Sequence, residues 1–245
     1  MKIRKKDNIF ARATDRIAAF EFDDKVASVF ADMIERSVPG YADIIRMLPV
    51  LAERFAVAGS NCYDLGCSLG AVALALRAGI KAPGCRIYAV DNAPAMIARC
   101  RDHAAAPSPF PTPIETLCAD IREIEFSRAA IVVLNFTLQF LPVADREPLL
   151  RRIYDGMVPG GIVVLSEKIT HDDPYSRDLL IDIYHAWKHA NGYSQLEISQ
   201  KRTALENVLR PETLAVHRRR LEQIGFRHCE PWFQCFNFMS LTACK

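Results

Sequence analysis

One loop of this sequence has the glycine spacing and the acidic residue of a ligand site. A predicted strand ends at residues 63–66, and Gly66 and Gly70 lie on either side of the turn that follows it. Glycine tolerates positive φ and lets a ligand lie on the backbone, and a helix that begins there directs its free N–H groups at that ligand. The dinucleotide fingerprint lacks its middle glycine here, and Asp64 would repel a pyrophosphate but suits a cation such as an α-ammonium group. The loop therefore predicts a small-molecule site of another kind.

Three further polar residues follow apolar runs that have the composition of buried parallel strands. Asp91 closes the run 87–90, Asp120 follows a third run, and Asn135 closes the run 130–134. Open α/β sheets bind ligands at the carboxyl ends of their strands. We therefore expect Asp91 to accept both ribose hydroxyls, Asp120 to face an adenine amino group, and Asn135 to lie near the reaction centre. Each residue alone is also typical of a helix N-cap or a turn, but their shared position favours a cofactor site.

Hydrophobic periodicity assigns these residues to an α/β fold. From residue 61 onward, short apolar runs alternate with amphipathic stretches, which favours a parallel sheet covered by helices on both faces. The later predicted elements are a helix over 144–154, a turn at 157–161, a strand at 162–165, helices over 174–190, 196–209 and 211–224, and an antiparallel hairpin over 227–233 and 235–244.

Composition and charge exclude several classes of protein. The chain has 245 residues, 50% of them hydrophobic, and a formal net charge of +2. This length suffices for one sizeable core, and the small net charge argues against direct binding to nucleic acid or to an anionic membrane. No apolar run approaches the ~18 residues that span a bilayer, and the cysteines form no CxxC pair, so no metal site is predicted. We expect a cytoplasmic protein with a flexible basic tail over 1–20 and a single domain over 21–245.

The loop and the strand-end residues together resemble the class I S-adenosylmethionine (SAM)-dependent methyltransferases. The resemblance lies in residues 64–70, Asp91-Asn92, Asp120 and the Pro-Gly-Gly turn at 159–161. It implies a Rossmann-like α/β fold, in which a mostly parallel seven-stranded sheet has helices on both faces and a C-terminal antiparallel hairpin. It also implies that SAM is the ligand, but it does not identify the reaction.

Strings outside that core are similar to a narrower family, the carboxy-S-adenosyl-L-methionine synthases. This resemblance runs from about Phe22 to Leu241 and rests on residues 36–41, 133–140, 165–168, 190–194, 197–202 and 232–238. It implies that a carboxyl group passes from prephenate to the methyl carbon of SAM, which gives carboxy-SAM and phenylpyruvate. It further implies a homodimer whose product is used by a tRNA carboxymethyltransferase. A helical cap over about 21–58 and a helical insertion over about 173–209 belong to the same expectation.

The family resemblance also implies which residues bind the ligand. Arg202 is expected to bind the carboxyl group of carboxy-SAM, since a guanidinium can hold a carboxylate bidentately whereas a lysine cannot. The other contacts to SAM are expected at Tyr41, Gly66, Cys67, Ser68, Asp91, Asn92, Asp120, Ile121 and Asn135.

Several alternatives stay open at the level of sequence. Arg202, in a basic pair on a predicted helix, is also typical of a solvated surface charge. Nothing in the spacing of His171, His185 and His189 selects one of them as a general base, so no base is assigned. The aromatic residues that suit either a pocket for the donor ring or core packing are Trp187, Tyr193, Trp232, Phe233 and Phe236. An ordinary SAM-dependent methyltransferase and a non-catalytic SAM-binding subunit are the competing functions.

Overall fold

The computed structural model describes residues 5–14 and 16–245. The helices are α1 (Asp24–Ser37), α2 (Tyr41–Phe55), α3 (Ala71–Gly79), α4 (Pro94–Ala105), α5 (Val143–Gly156), α6 (Pro174–Ala190), α7 (Gln195–Leu205) and α8 (Leu214–Ile224), with a short 3-10 helix at Leu138–Phe140. The strands are β1 (Asn61–Leu65), β2 (Arg86–Asp91), β3 (Ile114–Cys118), β4 (Ala129–Asn135), β5 (Met157–Lys168), β6 (Arg227–Cys235) and β7 (Phe238–Cys244).

The strands form one sheet in the order β3-β2-β1-β4-β5-β7-β6. The first five are parallel, while β7 runs antiparallel to both β5 and β6. The central strand β4 has no solvent exposure from Ala129 to Leu134, because helices cover both faces of the sheet and a strand buried on both sides must be apolar throughout. The predicted α/β sheet with its final antiparallel hairpin is confirmed.

Element boundaries differ from the prediction where tertiary pairing extends or shortens them. The Pro-Gly-Gly turn at 159–161 lies within β5, because the backbones of Gly160 and Gly161 pair with Lys245 at the chain's end. Helix α7 ends at Leu205, short of the predicted 209. Helix α8 begins at Leu214, after Thr213 accepts the backbone N–H of Val216 as an N-cap.

The N-terminal segment packs against the body, in contrast to the flexible tail predicted over 1–20. Asp7 is 1% exposed and accepts a 2.6 Å hydrogen bond from the Tyr193 hydroxyl. The Gln200 side chain on α7 donates to the carbonyl oxygens of Phe10 and Arg12. These polar anchors have no hydrophobic periodicity, which is why the sequence pattern did not indicate them. Residues 1–4 and 15, within the predicted tail, lie outside the described residues.

Candidate active site

The carboxyl ends of the parallel strands open into a cavity of about 380 Å³. This is within the size range of small-molecule sites. Helices α1 and α2 cover it from one side and α6 and α7 from another, through residues such as Phe30, Tyr41, Tyr184 and Lys201. The predicted contacts that line it are Tyr41, Gly66, Cys67, Ser68, Asp91, Asn92, Asp120, Ile121 and Asn135. The structure thus brings together nearly every predicted contact, with Arg202 as the exception, and their roles in binding stay predictions.

The glycine loop owes its shape to its backbone. Gly66 has φ +79°, and a Cβ atom there would lie 2.4 Å from the Thr137 Oγ1 atom. The N–H groups of Gly66 and Cys67 both donate to the carbonyl oxygen of Val90, which ties β1 to β2. Gly70, with φ +85°, then caps α3. Only glycine combines this conformation with so close an approach, so the sequence signal at the two glycines has a direct structural cause.

Asp64, which the sequence suggested for an ammonium group, supports the helix after the loop. It is 1% exposed, does not line the cavity, and its Oδ2 atom accepts the Ala73 N–H at 2.9 Å. Burial raises the pKa of Asp64 to about 8, and the nearby Asp91 carboxylate contributes to the rise. The acidic residue of the motif therefore acts on helix α3 in this structure, and the cavity gets its carboxylates from elsewhere.

Asp91 has the geometry that a pair of ribose hydroxyls requires. Its Oδ2 atom accepts the Ser68 N–H at 2.8 Å, and its Oδ1 atom accepts the Ala93 N–H at 2.9 Å. These two bonds fix the carboxylate and leave acceptor capacity on each oxygen. Burial raises the pKa of Asp91, partly offset by the two N–H donors. The loop and the strand-end acid are therefore one hydrogen-bonded unit.

Asp120 lines the cavity but is already paired. Arg122 contacts it with a shortest distance of 2.6 Å and also reaches Asp145 at 2.6 Å. Hydrogen bonds from Arg122 lower the pKa of Asp120. An adenine ring at this end would therefore meet a carboxylate–guanidinium pair with the buried Ile121 beside it. Sequence analysis missed Arg122, although its place two residues after a strand-end acid is a usable signal.

Asn135 offers the cavity an acceptor that no described residue uses. Its Oδ1 atom is buried and has no hydrogen-bond partner among the described residues. The next residue, Phe136, has φ +61° and packs against Tyr41 with ring centroids 6.5 Å apart. A buried acceptor without a partner costs free energy, and left-handed backbone in a bulky residue is costly as well. Both features fit a ligand whose donor group reaches Asn135, as the α-ammonium group or a hydroxyl of SAM would.

Apart from Tyr41, the aromatic wall of the cavity is built from residues other than the candidates named from the sequence for the donor ring. Trp187, Trp232 and Phe233 do not line the cavity and are partly buried against the apolar cluster of Ile44, Phe136, Tyr184 and Phe238. The aromatic residues that line the cavity are Phe20, Phe22, Phe30, Tyr41, Phe136, Phe140, Tyr184 and Phe238. They come from separate parts of the chain, so no local sequence pattern marks them.

Apart from Arg122, which pairs with Asp120, the basic residues of the cavity lie at the end opposite Asp120. Lys168 and Lys201 line it, whereas Arg202 is exposed and does not. Arg202 is nevertheless close enough for its charge to contribute to the lowered pKa values of Lys168 and His185. His171, His185 and His189 are not among the lining residues. The cavity therefore contains no histidine base from the described part of the chain.

Over residues 5–14 and 16–245, no group of three His, Cys, Asp or Glu side chains is placed to hold a metal ion. In the same part of the chain, every helix is too short or too polar to cross a bilayer.

Known proteins resemble this chain at two levels, in the general fold and in the particular family. A methyltransferase domain family matches residues 63–161. The carboxy-S-adenosyl-L-methionine synthase of Vibrio atlanticus is 55% identical over 239 residues, 98% of each chain. The synthase of the same name from Photobacterium profundum is 54% identical over 100% of both chains. The solved mitomycin 7-O-methyltransferase MmcR superposes with a TM-score of 0.59 at 14% identity, covering 89% of this chain and 56% of that one. The last similarity bears on the fold alone, which is the predicted Rossmann-like methyltransferase fold.

Proposed function

The chain belongs to the carboxy-S-adenosyl-L-methionine synthase family, and we propose that it transfers a carboxyl group from prephenate to SAM. It is an enzyme that acts on SAM and forms carboxy-SAM. The proposal that prephenate is the carboxyl donor rests on the cavity, which has one polar region and one region of aromatic rings and a lysine. Asp91 and Asn135 provide polar contacts for SAM, while aromatic rings and Lys168 continue the same cavity beyond Asn135. A plain methyl transfer does not require a carboxylate-binding region there.

The proposed reaction balances without a metal or an external oxidant. The bond between the ring of prephenate and its carboxyl group breaks, and the ring hydroxyl leaves as hydroxide, which gives phenylpyruvate. The SAM methyl group loses one proton, which combines with that hydroxide to form water. The methyl carbon then forms a new bond to the released carbon dioxide. Because the donor supplies the base, the absence of a histidine from the described cavity lining fits this scheme.

Exclusion of water is the second requirement of this chemistry, because an activated methyl carbon reacts readily with any nearby proton. The cavity lies beneath α1 and α2, where Phe22 packs edge-on against Phe140 with ring centroids 5.4 Å apart. Tyr41 stands at the start of α2, and burial raises the pKa of its hydroxyl, so the group stays neutral. We propose that this cap retains carbon dioxide until it is captured.

Arg202 is proposed to bind the carboxylate of the product. It lies on α7 next to Lys201, which lines the cavity, and no described residue pairs with its guanidinium. A free guanidinium at the basic end suits the carboxylate that appears on the SAM methyl carbon, since the two can form a bidentate pair. This role also gives Arg202 a reason to be arginine rather than lysine.

We propose a homodimer that forms through the helical insertion. Tyr175, Leu179 and Ile183 follow one another at four-residue spacing on α6 and are 76%, 44% and 38% exposed. This spacing aligns them on one helix face, and an apolar face of that kind is typical of an interface. A cytoplasmic location and delivery of carboxy-SAM to a tRNA carboxymethyltransferase, without direct binding of this chain to tRNA, complete the proposal. Measurement of the molar mass in solution tests the dimer: we expect the mass of two chains for the wild type and a lower mass for Leu179→Glu.

Incubation with SAM and prephenate, followed by mass spectrometry, tests the proposed reaction. We expect the cofactor to gain the mass of one carbon dioxide and phenylpyruvate to appear in equal amount. Formation of S-adenosylhomocysteine in the presence of a methyl acceptor, with prephenate untouched, would favour an ordinary methyltransferase. Binding of SAM without consumption of either compound would favour a non-catalytic subunit.

A further inference from the structure

Lys168 is a charged side chain in the cavity that the protein itself leaves unpaired. It is the last residue of β5 and lines the cavity. Its Nζ atom lies 4.8 Å from the centroid of the Tyr184 ring and 5.9 Å from that of Phe238. Within the described residues it has neither a hydrogen bond from Nζ nor an acid within salt-bridge distance. Its ammonium group therefore faces rings and open cavity.

The electrostatic surroundings of Lys168 favour an anionic ligand. Burial lowers its pKa to about 8, and the charge of Arg202 contributes to the lowering. His185 and Lys188 also lie near enough for the charge of Lys168 to depress their pKa values. A cation held among other basic groups, without a carboxylate, costs free energy in the empty protein. A bound anion would remove that cost.

The other basic residues nearby are already paired or lie outside the cavity. Lys201 donates to the Ser37 hydroxyl at 2.9 Å and lies 4.0 Å from the Asp7 carboxylate. Lys188 packs over the Tyr184 and Tyr193 rings but does not line the cavity. Arg122 lines the far end and is paired with two acids. Of the described cations that line the cavity, Lys168 alone has no acidic partner.

Strand order places Lys168 on the side of the second substrate. Asp91 ends β2 and Asn135 ends β4, and β5 lies next to β4, on the side away from β2. Neighbouring strands are about 4.8 Å apart. A ligand that extends from Asp91 to Asn135 therefore brings its reactive end toward Lys168 without covering it.

We propose that Lys168 binds the carboxylate that stays with the donor, an inference that rests on the proposed function. Prephenate has two carboxylates, and after transfer each product keeps one. Arg202 is assigned to the carboxylate of carboxy-SAM, which leaves the pyruvyl carboxylate without a cation. Tyr184 and Phe238, which pack against each other beside the Lys168 ammonium, provide apolar surface for the six-membered ring of the same molecule. Lys168 is thus a binding residue for both prephenate and phenylpyruvate.

The test compares Lys168→Met with Lys168→Arg and with the control Lys188→Met, which removes a nearby buried lysine that does not line the cavity. Three quantities are measured for each folded variant: the Kd of SAM, the KM of prephenate, and the inhibition constant of phenylpyruvate. In Lys168→Met we expect the last two to rise about tenfold or more, as for loss of a charge-assisted contact, with the Kd of SAM unchanged. Lys168→Arg should restore most of the loss, and the control should match the wild type.

Other outcomes would overturn the assignment in distinct ways. An unchanged KM for prephenate in Lys168→Met, or an equal rise in the control, would remove Lys168 from the donor site. A raised KM with unchanged inhibition by phenylpyruvate would mean that Lys168 binds the transferred carboxylate instead. If the wild type forms no carboxy-SAM from prephenate, the proposed function fails. If it does and Lys168→Met behaves like the wild type, only this inference fails.

The pH dependence gives a second measurement. Since the pKa of Lys168 is lowered to about 8, its ammonium form is present below that pH and is lost above it. The KM of prephenate in the wild type should therefore rise as pH increases through about 8. Lys168→Arg should show no such rise, because a guanidinium stays protonated. An identical rise in both proteins would contradict the proposal.

Discussion

The two ends of the cavity are built in different ways. At the SAM end, backbone groups set the geometry: Gly66 approaches Thr137, and the N–H groups of Ser68 and Ala93 hold Asp91 in place. At the donor end, side chains from distant segments set it, with Lys168 on β5, Tyr184 on α6 and Phe238 on β7. The first arrangement uses short segments at the ends of neighbouring strands, whereas the second uses single side chains from three separate elements.

This difference explains how one fold can serve two kinds of chemistry. A solved methyltransferase has the same fold at 14% identity, so the fold alone leaves the reaction open. The relatives named carboxy-S-adenosyl-L-methionine synthase are 54–55% identical over nearly the whole chain, a range that includes both ends of the cavity. We therefore propose that the SAM end binds the shared ligand and that the donor end selects the reaction.

The largest effect is expected at the SAM end, from Asp91→Ala. The change removes the proposed ribose acceptor and leaves the Ser68 and Ala93 N–H groups without their partner. Loss of such a charge-assisted site typically costs about 3 kcal/mol or more, so SAM should bind at least about a hundredfold more weakly by calorimetry. The control is Asp102→Ala, an exposed acid on α4. Equal affinity in Asp91→Ala and the control would contradict the assignment.

The cap is tested by Gly40→Ala. Gly40 has φ +74°, and an added Cβ atom would lie 1.9 Å from the Phe233 ring. Gly192 has a similar φ of +85° but open space around it. Gly40→Ala should lower the free energy of unfolding by about 2–4 kcal/mol through overlap and backbone strain, and Gly192→Ala by about 1 kcal/mol through strain alone. Urea denaturation measures both. Equal losses would mean that the contact between Gly40 and Phe233 contributes nothing.

Arg202→Ala tests whether a residue at the donor end affects the binding of carboxy-SAM without affecting the binding of SAM. We expect carboxy-SAM to bind about tenfold to a hundredfold more weakly, as for a lost hydrogen-bonded charge pair, while the affinity for SAM hardly changes. Arg202→Lys should recover only part of the loss, since it lacks the bidentate geometry. Arg219→Ala, at an exposed position on α8, is the control. If both ligands bind equally weakly to Arg202→Ala, the residue does not recognise the added carboxylate.

The smallest effect is expected from Arg122→Ala. Arg122 is 44% exposed, and its pairs with Asp120 and Asp145 lie near solvent. Exposed pairs contribute about 0–1 kcal/mol, so the free energy of unfolding should change by less than that. Removal of the guanidinium should also raise the pKa of Asp120, which Arg122 now lowers. Titration of Asp120 by NMR checks the shift, and an unchanged pKa would contradict the pairing.

Some features of the fold and of the site could be predicted from the sequence, and others could not. The sheet, the hairpin and the residues at strand ends could be predicted because each depends on neighbours in the sequence. The role of Asp64 under α3 could not, since it depends on side-chain packing, whereas the pairing of Asp120 with Arg122, two residues later, could have been predicted from their spacing. The packing of the N-terminal segment depends on the contact between Asp7 and Tyr193, 186 positions apart. No local pattern could indicate it.

Lys168 shows the same limit at the donor end. Lys168 belongs to the segment 165–168, one of those that resemble the synthase family. Its proposed role, however, depends on its surroundings, which are two aromatic rings and other basic groups, with no acid among the described residues within salt-bridge distance. Those neighbours come from β7, α6 and α7, so the position could be noted in the sequence without any role attached. Arg202, by contrast, was assigned a role by resemblance alone, and in the structure it lies exposed beside the cavity.

The most direct test of the account follows the transferred carbon. Prephenate labelled with carbon-13 in its ring carboxylate is incubated with SAM and the enzyme, and the products are analysed by mass spectrometry and carbon NMR. We predict that the label appears in the new carboxyl group of carboxy-SAM, with unlabelled phenylpyruvate in equal amount. Label found only in bicarbonate, with SAM unchanged or converted to S-adenosylhomocysteine, would contradict it.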